Sequence, residues 1–268
     1  MSLNNRLMAD CRNTRVQVKS GDLISHRSCA FALRLDGTGV KAEASLVGRS
    51  MGAAKETVRL AGSVLTSARQ VCAFFHTTEE KYRVVLPFIC EGLERGERVV
   101  HVIEPAIQSD YLRRLEAAGI DVEQSQRDSQ LELRHRQEAY LQDGRFDQEK
   151  MLDLIEGAFL HGRDRGFPLT RFIADMHWPQ GQTPSVEELV RYQQRLNELS
   201  PRYDDVIVST YDCAGFGAGF VMDILRTHPI VIIGGILQKN PFFVSPEELL
   251  SELRERRTRN AVPHDNDP

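Results

Sequence analysis

Residues with chemically useful side chains collect just after four apolar segments of the sequence. Aromatic rings, carboxylates and imidazoles at such positions could bind an organic ligand, hold a metal ion or transfer protons. The residues after these segments are Phe75, His76, Glu104, Asp175, His177, Trp178, Tyr211 and Asp212. Glu80 and Tyr82 follow the first segment at a short distance and join the set. We expect these residues to contribute to one ligand-binding site.

The group after the third segment favours ligand contact over metal binding. Asp175 and His177 face the same side only if the strand continues, and the sequence offers no evident third ligand for a metal ion. Trp178 is the only tryptophan, and its large amphipathic ring suits the wall of an organic-ligand pocket. We therefore predict neither a metal nor a cofactor. An enzyme that binds or hydrolyses nucleotides through Glu104, Asp175 and His177 is the alternative.

The segment CAFFHTTEEKYR stands where many α/β proteins bind nucleotide phosphates. A phosphate-binding loop has the form GxxxxGK[ST], in which glycines admit the phosphates, the lysine pairs with their charge and the hydroxyl holds magnesium. This chain places Phe75 and Glu80 at the glycines and Tyr82 at the hydroxyl position, so that only Lys81 agrees. Because Phe75 cannot give the free backbone approach of a glycine, we predict a loop without phosphate-binding function.

The first turn of the following helix is predicted to be closed to anions. Thr77 and Glu80 have the spacing of a capping box, which satisfies free N–H groups at the start of a helix. Glu79 and Glu80 also place negative charge where the helix dipole would otherwise attract an anion. We therefore expect a nucleoside triphosphate to bind poorly or not at all, and we predict no catalytic residue.

The elements that position these residues alternate between strands and helices. The apolar strands are VCAFF, RVVHVIEP, QLELRH, LTRFIADM, DVIVSTYD and PIVIIGG. Helical patterns lie between them, for example from Glu79 to Arg95 and from Phe146 to Gly162. This alternation predicts a three-layer α/β fold with a mostly parallel sheet flanked by helices. Ligands bind such sheets at the carboxyl ends of the strands, where the candidate residues lie.

The amino-terminal region differs from the rest of the chain. Residues 1–50 carry eight Lys and Arg against four Asp and Glu, a net charge of +4, which leaves −8 for residues 51–268 because the whole chain carries −4. An acidic main body makes nucleic acid an unlikely partner for it.

We expect residues 1–55 to be a flexible tail, 56–258 a domain and 259–268 a second tail. A DNA-binding regulator is a further alternative, since residues 40–66 weakly resemble a helix-turn-helix that reaches Thr57-Val58-Arg59.

Cysteine usage and apolar runs indicate the compartment. The five cysteines are scattered and form no CxxC pair, so that neither a zinc site nor a disulfide framework is expected. No run approaches about 20 apolar residues, and the amino terminus lacks the apolar core of a secretory signal. We predict a cytoplasmic protein with no membrane partner.

Longer motifs resemble a known family. The segments CAFFHTTEEKYRVVLPFICEGLERGERVVHVIEP, YLRRLEAAGIDV, GFPLTRFIADMHW, YQQRLNELSPRYDD and MDILRTHPIVIIGG occur in order, within about residues 56–256. Together they resemble the MEDS sensory domain, the sensory domain of DcmR-type regulators in methanogens and methylotrophs. The resemblance implies a RecA/KaiC-like fold that has lost its phosphate loop, in agreement with the residues around Lys81.

The resemblance also implies a function. MEDS domains are expected to bind small organic molecules such as hydrocarbon derivatives and to act with regulatory partners of the kinase, anti-sigma or transcription-factor type. A homo-oligomer is compatible with this expectation. The chain departs from the family pattern at Gln70, His177 and Gln193, where the family usually has His, Glu and Glu. We expect these changes to lower the negative charge near the pocket and to alter its ligand specificity.

Overall fold

The computed structural model describes residues 57–65, 69–142, 145–178 and 183–261. The tail predicted over residues 1–55 lies outside the described residues. In chain order the strands are β1 (Val58–Leu60), β2 (Ser63–Leu65), β3 (Gln70–Phe75), β4 (Arg98–Ile103), β5 (Leu131–His135), β6 (Leu141–Gln142), β7 (Arg145–Phe146), β8 (Thr170–Asp175), β9 (Val206–Asp212), β10 (Ile230–Ile233) and β11 (Ile236–Lys239). The helices are α1 (Thr78–Glu94), α2 (Gln108–Ala117), α3 (Val122–Arg127), α4 (Arg136–Ala139), α5 (Gln148–Asp164), α6 (Val186–Leu199), α7 (Ala218–Leu225) and α8 (Pro246–Ala261).

Seven of these strands form one sheet in the order β11-β10-β3-β9-β8-β4-β5. Neighbours from β10 to β5 run parallel, and β11 pairs antiparallel with β10 at the edge. Every residue of β3, β4 and β8 is buried, as expected of a parallel sheet covered on both faces. The predicted α/β class with a mostly parallel sheet is confirmed.

Helices cover both faces of the sheet and make three layers. Residues of α1, α2, α3 and the β1–β2 hairpin pack on one face, together with Val71, Ala73 and Phe75 of β3. Residues of α4, α5, α6 and α7 pack on the other face with Cys72 and Phe74. This division follows from the alternation of side chains along a strand. Helix α8 packs against α6 through Val190, Leu249 and Leu250.

Two regions differ from the predicted organisation. Val58–Leu60 and Ser63–Leu65 form an antiparallel hairpin. The helix-turn-helix hypothesis requires a helix around Thr57-Val58-Arg59, and that prediction is wrong. The rest of that hypothesis falls on residues 40–56 and 66, outside the described residues. At the other end, α8 continues to Ala261, past the predicted boundary at residue 258. Ser245 lies just before that helix and caps it, because its hydroxyl accepts from the Glu248 N–H at 3.2 Å.

Among the helices described, none combines the length and apolar character needed to cross a bilayer.

Candidate functional site

A cavity of about 200 Å³ lies at the carboxyl ends of the central strands. It is bounded by the end of β3 and the first turn of α1, by the segment after β4, and by the ends of β8 and β9. The lining residues are Phe75, Thr77, Thr78, Lys81, Glu104, Ile107, Asp175, Met176, His177, Thr210, Tyr211 and Asp212. Its position is the one at which open α/β sheets bind their ligands.

The cavity brings together part of the predicted site. Six predicted residues line it, namely Phe75, Glu104, Asp175, His177, Tyr211 and Asp212. The other four predicted residues, His76, Glu80, Tyr82 and Trp178, are not among its lining residues. A ligand role for any of these residues stays a prediction.

The amino terminus of α1 is closed by its own side chains. Thr77 is the N-cap, and its hydroxyl accepts from the Glu80 N–H at 3.1 Å. The Glu80 carboxylate turns back and accepts from the His76 N–H at 2.8 Å, one residue before the position expected in a capping box. Glu79 points toward α2 and pairs with Arg114. Internal acceptors thus occupy N–H groups that a phosphate-binding loop offers to its ligand.

Lys81 forms an ion pair with Asp175 across the cavity. Its Nζ donates to Asp175 Oδ2 at 2.8 Å, and both side chains are largely buried. In phosphate-binding loops the corresponding lysine pairs with the phosphates, and an aspartate of the site holds magnesium. Here the two groups neutralise each other, so that the one residue in agreement with the phosphate-loop pattern is already engaged.

Asp175 is anchored by several donors. Thr210 Oγ1 donates to its Oδ1 at 2.7 Å, and His101 Nε2 lies 3.4 Å from the same oxygen. Burial would raise the pKa of Asp175, but the Lys81 ammonium and the contact with His101 outweigh it and hold the pKa well below its ordinary value. Burial lowers the pKa of His101 despite the nearby carboxylate. Asp175 is therefore a charged acceptor held in place by three side chains.

The remaining acidic residues of the cavity are also engaged. Glu104 forms an ion pair with Arg136 of α4. Asp212 Oδ1 accepts from the Ala214 N–H at 2.9 Å and so caps the turn after β9. A general base needs a pKa near the working pH, which the depressed pKa of Asp175 does not provide. Within the described ranges, no group of three or more His, Cys, Asp or Glu side chains could hold a metal ion.

Tyr140 fixes the backbone at the end of β8. Its buried hydroxyl lies 2.9 Å from the Asp175 carbonyl oxygen and 3.0 Å from that of His177, and it can donate to either. Burial raises the pKa of Tyr140, so that the hydroxyl keeps its proton. Sequence analysis missed this residue, which lies 35 positions before Asp175 on a different element.

Trp178 belongs to an aromatic cluster beneath the cavity. Its ring lies 6.3 Å from Tyr140, 6.0 Å from Phe146 and 6.5 Å from Tyr211, centroid to centroid. Phe216 and Phe220 of the segment after β9 complete the cluster. Because Tyr211 also lines the cavity, Trp178 is placed to report on the site through one intervening ring.

The other predicted residues outside the cavity have evident structural positions. Tyr82 is buried on the α1–α2 face, where its ring lies 6.5 Å from that of Tyr111 and under the Arg114 guanidinium. His76 is exposed and contributes its backbone N–H to Glu80. Helical spacing could have placed Tyr82, since it shares the face of Val85 and Ile89.

Of the three departures from the family pattern, only His177 lies at the cavity. Gln70 begins β3 and therefore lies at the opposite edge of the sheet from Phe75. Gln193 is buried in α6, where its side-chain amide donates to Asn197 at 3.2 Å. The expected change in pocket charge therefore depends on His177 alone among the three and stays a prediction.

A larger groove of about 600 Å³ lies beside the outer side of α1. Its floor is apolar, with Leu60, Val84, Pro87 and Phe88, and Arg59, Arg83, Glu80 and Glu91 line it as well. The two arginines and two glutamates carry equal and opposite formal charge, so that the groove has no net charge from these residues. The strand-end cavity is the better candidate for a ligand site, since several polar groups from different strands converge there.

Two of three comparisons with known proteins point to one family. A sequence profile described as "MEthanogen/methylotroph, DcmR Sensory domain" (MEDS) matches residues 71–229. The transcriptional repressor DcmR of Methylorubrum extorquens is 25% identical over 172 residues, which cover 63% of this chain and 62% of the repressor. The chain thus spans less than two thirds of that relative. A KaiC-like protein of Pyrococcus horikoshii OT3 matches with a TM-score of 0.39 and 16% identity, over 61% of this chain and 69% of that one.

Proposed function

This chain belongs to the MEDS family of sensory domains, and from that premise we propose that it senses a small organic molecule without converting it chemically. The ligand occupies the strand-end cavity, and a regulatory protein responds to its presence. The name of the repressor relative supports a role in transcriptional control. The partner is of the kinase, anti-sigma or transcription-factor type.

One observation carries this proposal: the groups that would bind a nucleotide are engaged with each other, yet a cavity remains beside them. Lys81 pairs with Asp175, and the helix N-terminus is capped by Thr77. The remaining volume of about 200 Å³ is below the range of roughly 300–1,000 Å³ that is usual for drug-sized ligands. The site therefore suits a molecule much smaller than a nucleotide.

Among the described residues of the cavity, the acidic groups are engaged in ion pairs or capping contacts, which supports sensing over catalysis. Glu104 is paired with Arg136, and Asp175 is held anionic by Lys81. His177 is exposed, and among the described residues it has no carboxylate partner that would orient its ring. A hydrolase would need a base or nucleophile whose pKa and geometry are tuned to its reaction.

The ligand signal passes through the link between α1 and β8. Lys81 lies in the first turn of α1 and Asp175 ends β8, so a ligand that touches Lys81 biases the relative position of these two elements. The outer side of the same helix lines the larger groove, through Glu80, Arg83 and Val84. Helix α1 thus connects the cavity with a surface that a partner can contact.

Ligand binding by the full 268-residue chain tests the proposal. Trp178 fluorescence and calorimetry are recorded with Mg·ATP and with a panel of neutral organic compounds of about five to eight non-hydrogen atoms. We expect a member of the panel to bind and Mg·ATP to give no signal. Micromolar binding of Mg·ATP that is lost in the charge-balanced double variant Lys81→Met/Asp175→Asn, or no binder in the panel up to millimolar concentration, would contradict the proposal.

A further inference from the structure

We infer that Lys81 selects a neutral ligand that carries a hydrogen-bond-accepting oxygen, such as a ketone or an alcohol. This inference rests on the proposed function and adds to it the chemical class of the ligand. It excludes anions, cations and purely apolar molecules as preferred occupants of the strand-end cavity. Lys81 keeps unused hydrogen-bonding capacity at the cavity, whereas the Asp175 oxygens are already engaged.

Lys81 has donors to spare inside the cavity. An ammonium group carries three N–H donors and no acceptor. One of them is used by Asp175 Oδ2, and no other hydrogen bond links Nζ to a residue in the described ranges. Nζ also lies 5.5 Å from the centre of the Tyr82 ring, a contact that uses no hydrogen-bond acceptor. The side chain is 14% exposed and lines the cavity, so its remaining donors are open to cavity water or to a ligand. A ligand oxygen is the group that can replace such a water.

Asp175 offers no comparable place for a cationic ligand. Its two oxygens already take Lys81, Thr210 and the neighbouring His101. A ligand cation would have to displace Lys81 and leave that ammonium buried without its partner. Such a displacement exchanges one ion pair for another and gains nothing at this carboxylate.

The charge of the cavity disfavours anions. Its lining contains the carboxylates Glu104, Asp175 and Asp212 and one ammonium, Lys81. Arg136 pairs with Glu104 from outside the lining, so that three carboxylates stand against two cations and an anion still meets a net negative charge of −1 from these groups. A phosphate or carboxylate is therefore repelled from the space that Lys81 adjoins.

The volume of the cavity and its apolar lining limit the size and the polarity of the ligand. Phe75, Ile107 and Met176 supply apolar surface to the cavity. An enclosed volume of about 150 Å³ accommodates benzene, so that about 200 Å³ takes a molecule of roughly six to eight non-hydrogen atoms. The ligand is thus a small apolar body with one oxygen directed at Lys81.

Four compounds of similar size separate the possibilities. Cyclohexanone carries the acceptor, methylenecyclohexane has the same shape without it, cyclohexylammonium is a cation, and cyclopentanecarboxylate is an anion. Each is titrated into the full chain, with binding located by ¹H–¹⁵N spectra at residues of the cavity and quantified by calorimetry. We expect cyclohexanone to bind about tenfold or more tightly than the other three, since a hydrogen bond to a charged donor contributes about that factor.

A double variant and a control variant test whether the preference for cyclohexanone depends on Lys81. The double variant Lys81→Met/Asp175→Asn removes both charges together and so avoids a lone buried carboxylate. In it we expect the preference for cyclohexanone over methylenecyclohexane to fall below about twofold, while Lys239→Met on the exposed edge strand keeps it.

The outcomes distinguish this inference from the proposed function. If methylenecyclohexane or one of the ions binds in the cavity as tightly as cyclohexanone, the ligand class is overturned while sensing in the cavity stands. If the preference persists in the double variant, the assignment to Lys81 is overturned. If none of the four compounds shifts the cavity resonances up to its solubility limit, both the class and the cavity as a sensing site are overturned.

Discussion

Lys81 Nζ and Asp175 Oδ2 lie 2.8 Å apart although 94 residues separate them in the sequence. Their elements are not adjacent either, since β9 lies between β3, which leads into α1, and β8. The pair therefore joins the first turn of α1 to the end of a strand two positions away in the sheet. It also forms one wall of the cavity, so that the stability of the fold and the chemistry of the site depend on the same contact.

Removing Lys81 alone is expected to destabilise the protein strongly. Lys81→Met leaves Asp175 buried without its cation, and breaking a buried pair in this way costs about 3–5 kcal/mol. Adding Asp175→Asn removes the uncompensated charge and should restore a large part of that loss. Urea unfolding of the wild type, both single variants and the double variant gives the coupling energy directly.

Lys239→Met is the matched control for this cycle. Lys239 is exposed on β11, and the same substitution there should change the free energy of unfolding by no more than about 0.5 kcal/mol. Equal small effects of Lys81→Met and Lys239→Met would show that the Lys81–Asp175 pair does not stabilise the folded state.

Asp175 should make the folded state sensitive to acid. The pKa of Asp175 is depressed in the folded protein, whereas in the unfolded chain it is about 3.9. Its stabilising contribution is therefore fully present above that value and is lost as the pH falls below about 4, where the unfolded chain takes up a proton before the folded protein does.

The difference in unfolding free energy between wild type and Asp175→Asn isolates this effect. We expect that difference to be constant above about pH 5 and to shrink between about pH 4 and pH 2.5. Other carboxylates with depressed pKa values, such as Glu79 and Asp110 beside Arg114, contribute equally to both chains and cancel. A difference that does not change with pH would rule out a charged, paired Asp175.

Tyr140 and Tyr192 provide a comparison of hydroxyl groups at buried sites. Tyr140→Phe removes the donor to the Asp175 or His177 carbonyl and should cost about 1–2 kcal/mol with little loss of packing. The Tyr192 hydroxyl is buried, and no hydrogen-bond partner for it is found in the described part of the chain. Tyr192→Phe should therefore be neutral or slightly stabilising.

Thermal and urea unfolding of the two variants measure the contrast. Tyr140→Phe should also weaken binding of any cavity ligand, since the backbone of Asp175 and His177 is less firmly held. The interpretation fails if Tyr192→Phe is the more damaging of the two.

The regular strands and helices of this fold can be predicted from the sequence, but the contact between Lys81 and Asp175 cannot. Alternating apolar strands and helices predict the sheet, and Thr77 predicts the start of α1. The period of two also places Phe172 and Ala174 on one face and Asp175 on the face of α1. That Lys81 meets Asp175 depends on the order of strands, which local patterns do not encode.

The short elements were not predicted for a related reason. The β1–β2 hairpin and the strands β6 and β7 contain two or three residues each, too few for a periodic pattern to be read. Tyr140 contacts the site because α4 and β6 place its hydroxyl at the end of β8, within hydrogen-bonding distance of the Asp175 carbonyl oxygen. Its partners there are backbone carbonyls, which leave no trace in side-chain spacing.

Gly92 should be intolerant of a methyl group because α1 packs closely over a buried arginine. A Cβ at Gly92 would lie 2.7 Å from both Cδ and Nε of Arg171, below any ordinary contact. Arg171 cannot easily retreat, since its Nε is held by Glu97 Oε2 at 2.5 Å and its guanidinium lies 4.5 Å from the centre of the Phe88 ring. Gly92→Ala should therefore lower the free energy of unfolding by about 1–3 kcal/mol.

Gly157, on helix α5, has room for the methyl group that Gly92 lacks. It lies within α5, and a Cβ there would meet no atom within 4 Å. Because alanine favours the helix over glycine by up to about 1 kcal/mol, Gly157→Ala should be neutral or stabilising. Urea unfolding of both variants compares the two helices, and equal stability of Gly92→Ala and Gly157→Ala would refute the close packing of α1 on Arg171. The contrast matters for the site, since the packing that excludes a methyl group at Gly92 belongs to the same helix that carries Lys81.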